Sequence, residues 1–167
     1  MKQTKIPILE KAATICGGLS AISLALIGLI ITAQILARTF GYLIPAADDF
    51  AIWAMVSSMF LGLPYAFIKG DHIRITVLLQ ALSAKPKKIY ELQATIISVL
   101  LGVWASYYSA VFVYESYLFN EISQGMLSVP LWIPQLPIPI GLILLTALLI
   151  ERVFRLIRGT QLEVTHE

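Results

Sequence analysis

Along the chain, long apolar stretches alternate with short charged ones, and the positions of the charges outline the elements. Ala12 to Ala37, Phe50 to Ile68 and Leu92 to Tyr114 contain no Asp, Glu, Lys or Arg. A bilayer core of about 30 Å needs roughly 20 apolar residues per helix, so each stretch predicts a spanning helix. A fourth uncharged stretch, Ile122 to Ile150, opens with SQGMLSVPLWIPQLPIP. Proline lacks an amide donor and biases its predecessor toward extended geometry, so Pro130, Pro134, Pro137 and Pro139 mark an entry rather than a span. The fourth helix is expected to start between Pro134 and Pro139, with prolines in its first turns where missing donors matter least. The expectation is an all-α integral membrane protein of one domain, 1–167, with spans at about 12–37, 50–68, 90–116 and 135–157.

The longest departure from this pattern is IKGDHIRITVLLQALSAKPKKIYE, Ile68 to Glu91. Here Ile75, Leu78, Leu79 and Leu82 fall at i, i+3, i+4 and i+7, one apolar stripe on a helix. His72 and Arg74 stand beside it, with Lys85, Lys87 and Lys88 at its end. The piece is too short to span and its mixed character suits the headgroup region, which predicts an amphipathic interfacial helix over about 72–84. Its lysines admit two readings, contact with anionic lipid or a solvated basic loop. SAKPKK then looks like a helix start, with Ser83 as cap and Pro86 in the first turn. A third helix running unbroken from about Pro86 to Phe119 is on the order of 50 Å long, and must tilt or protrude.

Charge orients these elements. Of twelve Lys and Arg residues, all but Arg38 precede the first span, separate the second from the third, or follow the fourth. Basic residues collect on the cytoplasmic side, so both termini and the 72–84 segment are expected in the cytoplasm, and the two hairpin tips outside. The chain then reads as a multi-pass membrane protein, and the apolar stretch of the first span is too long for a typical cleaved signal core. The balance of 58% hydrophobic to 13% charged residues agrees, since soluble domains carry about a quarter charged. A net charge of +2 is too small to suggest nucleic acid as a partner. Cys16, the single cysteine, lies in an apolar run and reads as a buried, inert thiol.

The spans carry little chemistry. Ion and proton transporters place ionisable groups within their helices, whereas these spans hold Ser20, Ser23, Thr32, Gln34, Ser57, Ser58, Ser98, Ser106 and Ser109. Such uncharged polar groups join helices by hydrogen bonds. Paired histidines that would ligate a membrane haem are missing, since His72 and His166 are the only two. No catalytic residue, cofactor site or metal site is expected, and the chain does not read as an enzyme. One outward constellation remains, Arg38, Asp48, Asp49 and Trp53. It reads either as a structural clasp, with Arg38 folded onto an aspartate, or as a surface that binds a partner.

The order of these features resembles one family, the small membrane (Q) subunit of tripartite ATP-independent periplasmic (TRAP) transporters. LARTFGYLIPAADDFAIW resembles the arginine, aromatic, proline and paired acidic residues that precede its second helix. FLGLPYAFIKGDHIRITVLL resembles its Gly-then-Gly-x-His-Ile pattern, and VPLWIPQLPIPIG its proline-rich approach to the last helix. The resemblance covers roughly Ala12 to Arg158. Asp48 and Asp49 stand where the family often has glutamates, and Thr76 where it often has an acidic residue. The resemblance implies an accessory subunit that braces a large elevator-type membrane subunit, which carries the substrate and sodium sites. It also implies a periplasmic substrate-binding protein that delivers, commonly, an organic acid. Two other readings compete, a membrane anchor for a redox or other cytoplasmic complex and a small self-sufficient exporter.

Overall fold

The structure, a computed structural model, describes residues 7–70 and 84–157, with backbone alone over 84–89. The expected interfacial helix, with His72, Arg74, Ile75, Leu78, Leu79 and Leu82, lies outside the described residues. The elements are α1 (Pro7–Thr39), α2 (Ala47–Gly70), α3 (Ala84–Leu118), a single turn α4 (Trp132–Gln135) and α5 (Pro137–Ile157). Four are long and apolar enough to cross a membrane, the last counted from Trp132 through Ile157. Among the described residues there is no strand, only an isolated bridge between Ile122 and Pro130.

The helices overrun the uncharged stretches that predicted them. α1 starts at Pro7, where a missing donor is harmless, and carries Glu10 in its first turn and Arg38 in its last, each matched to the helix dipole. Its end is a Schellman motif. Tyr42 N donates to Ala37 O (2.9 Å) and Gly41 N to Arg38 O (3.0 Å), with Gly41 at φ +78°, a conformation that a side chain would strain. α3 ends the same way, Glu121 N on Ser116 O (3.0 Å) and Asn120 N on Tyr117 O (3.3 Å), with Asn120 at φ +50°. At 35 residues α3 is about 52 Å long. The proline-rich entry forms α4, and Leu136, itself in helical geometry, joins it to α5, so the break falls where Pro137 and Pro139 cannot donate.

These helices form a row rather than a closed square. α2 and α5 pack against each other in the middle, α1 lies along the far side of α2 and α3 along the far side of α5, while neither α1 nor α2 packs along α3. A line of sheltered positions runs along α1 through Leu9, Ala13, Cys16, Ser20, Ser23, Ile27, Ile30, Gln34 and Ala37, in alternating steps of four and three. That heptad spacing gives a narrow seam against one neighbour. α5 is the most enclosed span, burying Pro139, Gly141, Thr146, Leu148, Leu149 and Glu151.

Lipid tails are as apolar as leucine, so helices associate here through close packing and hydrogen bonds rather than the hydrophobic effect. The central seam shows how. Pro64 lies fully buried inside α2. It cannot donate to the Phe60 carbonyl one turn earlier, and its ring pushes that carbonyl outward. Gly141 of α5 lies against the freed oxygen, so close that a Cβ there would overlap Phe60 O. The glycine brings its own Cα–H to the carbonyl, a weak but favourable contact. A proline on one helix and a glycine on the other thus set the closest approach in the molecule's centre.

Candidate functional site

The two outer seams use a second device, a hydroxyl opposite a glycine. Between α1 and α2, Ser20 Oγ donates to Ser58 O (2.7 Å), and the space it needs is left by Gly62, where a Cβ would come within 2.9 Å of that oxygen. Between α3 and α5, Ser106 Oγ and Thr146 Oγ1 are 3.1 Å apart, beside Gly102, where a Cβ would come within 2.7 Å of Thr146 Oγ1. Ser20, Ser58 and Ser106 therefore join helices, as expected of uncharged groups in a span. Ser57, Ser98 and Ser109 bond carbonyls of their own helices instead. The two bolts engage Ser20, Ser58, Ser106 and Thr146.

At the end of the row that holds the α1–α2 turn, Gln34 Nε2 donates to Asp48 Oδ1 (3.0 Å). The expected clasp between Arg38 and an aspartate is replaced by this one. Arg38 is exposed in the last turn of α1, and among the described residues no ion pair joins it to Asp48 or Asp49. The physical reason is register. Gln34 lies in the α1 seam that faces α2, whereas Arg38, one turn further on, falls outside it. Asp49 reaches sideways to the α3–α4 loop, where its carboxylate fills the space a Cβ on Gly125 would take. Trp53, half-buried, packs edge-on to Phe50 with ring centroids 5.2 Å apart. The four predicted residues therefore share one end of the molecule but not one cluster. Nearby, the buried Ser116 donates to Glu121 Oε2 (2.7 Å), which closes the α3 terminus onto its loop.

The opposite end holds residues that sequence reasoning did not single out. Arg152 Nη2 of α5 donates to Glu91 Oε1 of α3 at 2.9 Å, with side chains only 15% and 13% exposed. The Arg152 guanidinium also stands 5.7 Å from the centroid of the Phe67 ring on α2, a cation–π distance. Three helices meet in this contact. Arg155 approaches Glu151 one turn away at 3.8 Å. The available signal was a Glu and an Arg closing two spans on the same expected side of the membrane. Pro64 and Gly141 were likewise visible as an interior proline and a glycine within two predicted spans. Among the described residues, no group of three or more His, Cys, Asp or Glu could hold a metal ion.

For a chain with four helices long and apolar enough to cross a membrane, the comparison with known families is specific. The model of the family described as tripartite ATP-independent periplasmic transporters, DctQ component, matches residues 27–159. The chain belongs to this family. No curated protein matches it. The match runs from the middle of α1 to the end of α5, and so takes in the Gln34 clasp, the Pro64–Gly141 seam and the Glu91–Arg152 pair. The chain is thus a small, multi-pass inner-membrane component of a TRAP transporter, from a family of transport components rather than of enzymes.

Proposed function

We propose that this DctQ component is the static brace of its transporter. It holds a larger membrane subunit in place while part of that subunit moves as an elevator and carries an organic acid inward with sodium. A periplasmic binding protein delivers the acid. The observation that carries this reading is the fastening of every seam in the row, by the Pro64–Gly141 contact, the two hydroxyl bolts and the Glu91–Arg152 pair. A row whose helices are each bolted to the next is suited to resisting the sideways forces of a moving partner. Packed interfaces of this kind do not slide continuously.

Both termini and the 72–84 segment belong in the cytoplasm on this reading, with His72, Arg74 and the Ile75, Leu78, Leu79 and Leu82 stripe at the inner leaflet. Arg38, Asp49 and Trp53 then stand at the periplasmic end, where Arg38 is free to meet the binding protein or the large subunit. The test is reconstitution in liposomes with an inward sodium gradient. Uptake is expected with large subunit, binding protein and this chain together, and none with this chain and the binding protein alone. Full uptake by the large subunit without this chain would overturn the brace.

A further inference from the structure

The two flanking helices present unlike faces to their surroundings. Through its central turns, the outward side of α1 is aliphatic, with Ile15, Leu19, Ile22, Leu26 and Leu29 exposed. Such a face is matched to hydrocarbon. The outward side of α3, opposite the seam that carries Thr95, Gly102, Ser106 and Val113, is mixed: among exposed aliphatics such as Leu100 and Leu101 it carries Gln93, Trp104, Tyr108 and Glu115, with Tyr107 alongside. Trp104, Tyr107 and Tyr108 form a contiguous aromatic cluster, with centroids 5.1 Å apart for Trp104 and Tyr108 and 5.4 Å for Tyr107 and Tyr108. All three are more than half exposed.

Depth makes this cluster informative. The uncharged part of α3 runs from Leu92 to Tyr114, which puts Trp104 at its middle and Tyr107 and Tyr108 about 6 Å beyond, at 1.5 Å per residue. Both tyrosines lie well inside a half-core of about 15 Å. Tryptophan and tyrosine normally collect at the two membrane interfaces, not at mid-depth. Helical side chains also lean toward their own N-terminus, which turns the Tyr107 and Tyr108 rings toward the bilayer centre. Among the described residues, neither hydroxyl nor the Trp104 indole N–H is hydrogen-bonded. Polar groups in hydrocarbon are costly unless paired, so these three call for acceptors at membrane depth, which lipid tails do not have. The exposed Glu115 two turns beyond Tyr108 adds a charge that a basic partner residue would complement.

We propose that the outward face of α3, from Gln93 through Trp104, Tyr107 and Tyr108 to Glu115, is the seat of the larger membrane subunit, and that the outward face of α1 is turned to lipid. This rests on the brace reading and specifies its geometry. The partner surface is a membrane-embedded helix face with hydrogen-bond acceptors at mid-depth and a basic residue near its periplasmic end.

The test uses the complete transporter in native membranes. A photoreactive benzoylphenylalanine is placed singly at positions 104, 107 and 108, and at 15, 22 and 29 as the α1 set. Irradiation is expected to join the α3 positions to the large subunit and to leave the α1 positions unjoined to protein. Adducts from α1 with none from α3, adducts from neither set, or an α3 adduct with a second copy of this chain would each overturn the proposal. Purification of the large subunit on the tagged, unsubstituted chain separates the two ideas. If it co-purifies while α3 forms no adduct, the brace stands and the face is wrong. If it does not co-purify, both fall. A second variant, Tyr107→Phe with Tyr108→Phe, removes only oxygens that bond nothing within the described chain. It is expected to keep its membrane level and to weaken retention of the large subunit on the order of tenfold, since two intramembrane hydrogen bonds to the partner are lost. Unchanged retention would overturn the role of the hydroxyls.

Discussion

The α1–α2 and α3–α5 pairs are built on one plan and fastened at opposite ends. Each has a hydroxyl bolt at mid-span beside a glycine, Ser20 with Gly62 in one and Thr146 with Gly102 in the other. Beyond that they diverge. The α1–α2 pair is clasped at the end bearing the α1–α2 turn by the uncharged Gln34 reaching Asp48. The α3–α5 pair is clasped at the other end by a partly buried ion pair, which also touches α2 through Phe67. The lesson concerns hierarchy. α3–α5 is tied into the centre of the row by charge, whereas α1 lies along α2 and is held there by small residues and neutral hydrogen bonds.

The comparison breaks first at the seam between the pairs. Gly141→Leu sets a side chain against the Phe60 backbone carbonyl, which cannot swing aside as a side chain can, so α2 and α5 must part. A loss of about 3 kcal/mol is expected, read as a lower thermal midpoint in detergent, with both pairs affected alike. A midpoint unchanged from the parent would show that the close approach is not needed.

Next comes the charged clasp. Arg152→Ala leaves Glu91 in a poorly solvated site, and a cost of about 2 kcal/mol is expected, below the range for fully buried pairs because the side chains retain some exposure. Glu91→Ala combined with Arg152→Ala is expected to cost less than the sum of the single changes, and strict additivity would mean the pair does not couple. Smaller and closely matched effects are expected from Ser20→Ala and Ser106→Ala, about 0.6 kcal/mol each. A large difference between the two would break the shared plan, and the same thermal series reads it. Smallest of all, Arg38→Ala is expected to leave stability within about 0.5 kcal/mol, because Gln34 and not Arg38 holds Asp48. A larger drop would restore the arginine to the clasp.

Much of the architecture was legible in the chain itself. Gaps between charges located four spanning segments, because a charge in hydrocarbon is costly enough to punctuate a membrane helix wherever it occurs. The proline cluster announced the interrupted entry that became α4 and α5, since a missing amide donor has the same local effect in any fold. The ends were less legible. α1 begins five residues before its uncharged stretch, at Pro7, because Glu10 and Lys11 are good helix residues at a membrane surface and charge marks where hydrocarbon stops, not where helix stops. The pairing of Arg38 with an aspartate, one of its two readings, differs from the structure for a related reason. Opposite charges near a turn suggest a pair, but which side chain reaches Asp48 depends on the rotation of α1 about its axis.

Sequence by itself determined that this protein is helical, has four segments long and apolar enough to cross a membrane, and has spans that can hold one another but offer little to an ion. Those properties follow from composition and periodicity, which act residue by residue. Only the tertiary structure decided that the order is α1, α2, α5, α3, that Pro64 and Gly141 face each other, that Glu91 and Arg152 meet over Phe67, and that Trp104, Tyr107 and Tyr108 turn outward. Lipid and protein interiors are almost equally apolar, so hydrophobicity does not say which face of a membrane helix is covered. That choice is made where small residues let backbones close and where hydroxyls and charges find partners on another helix.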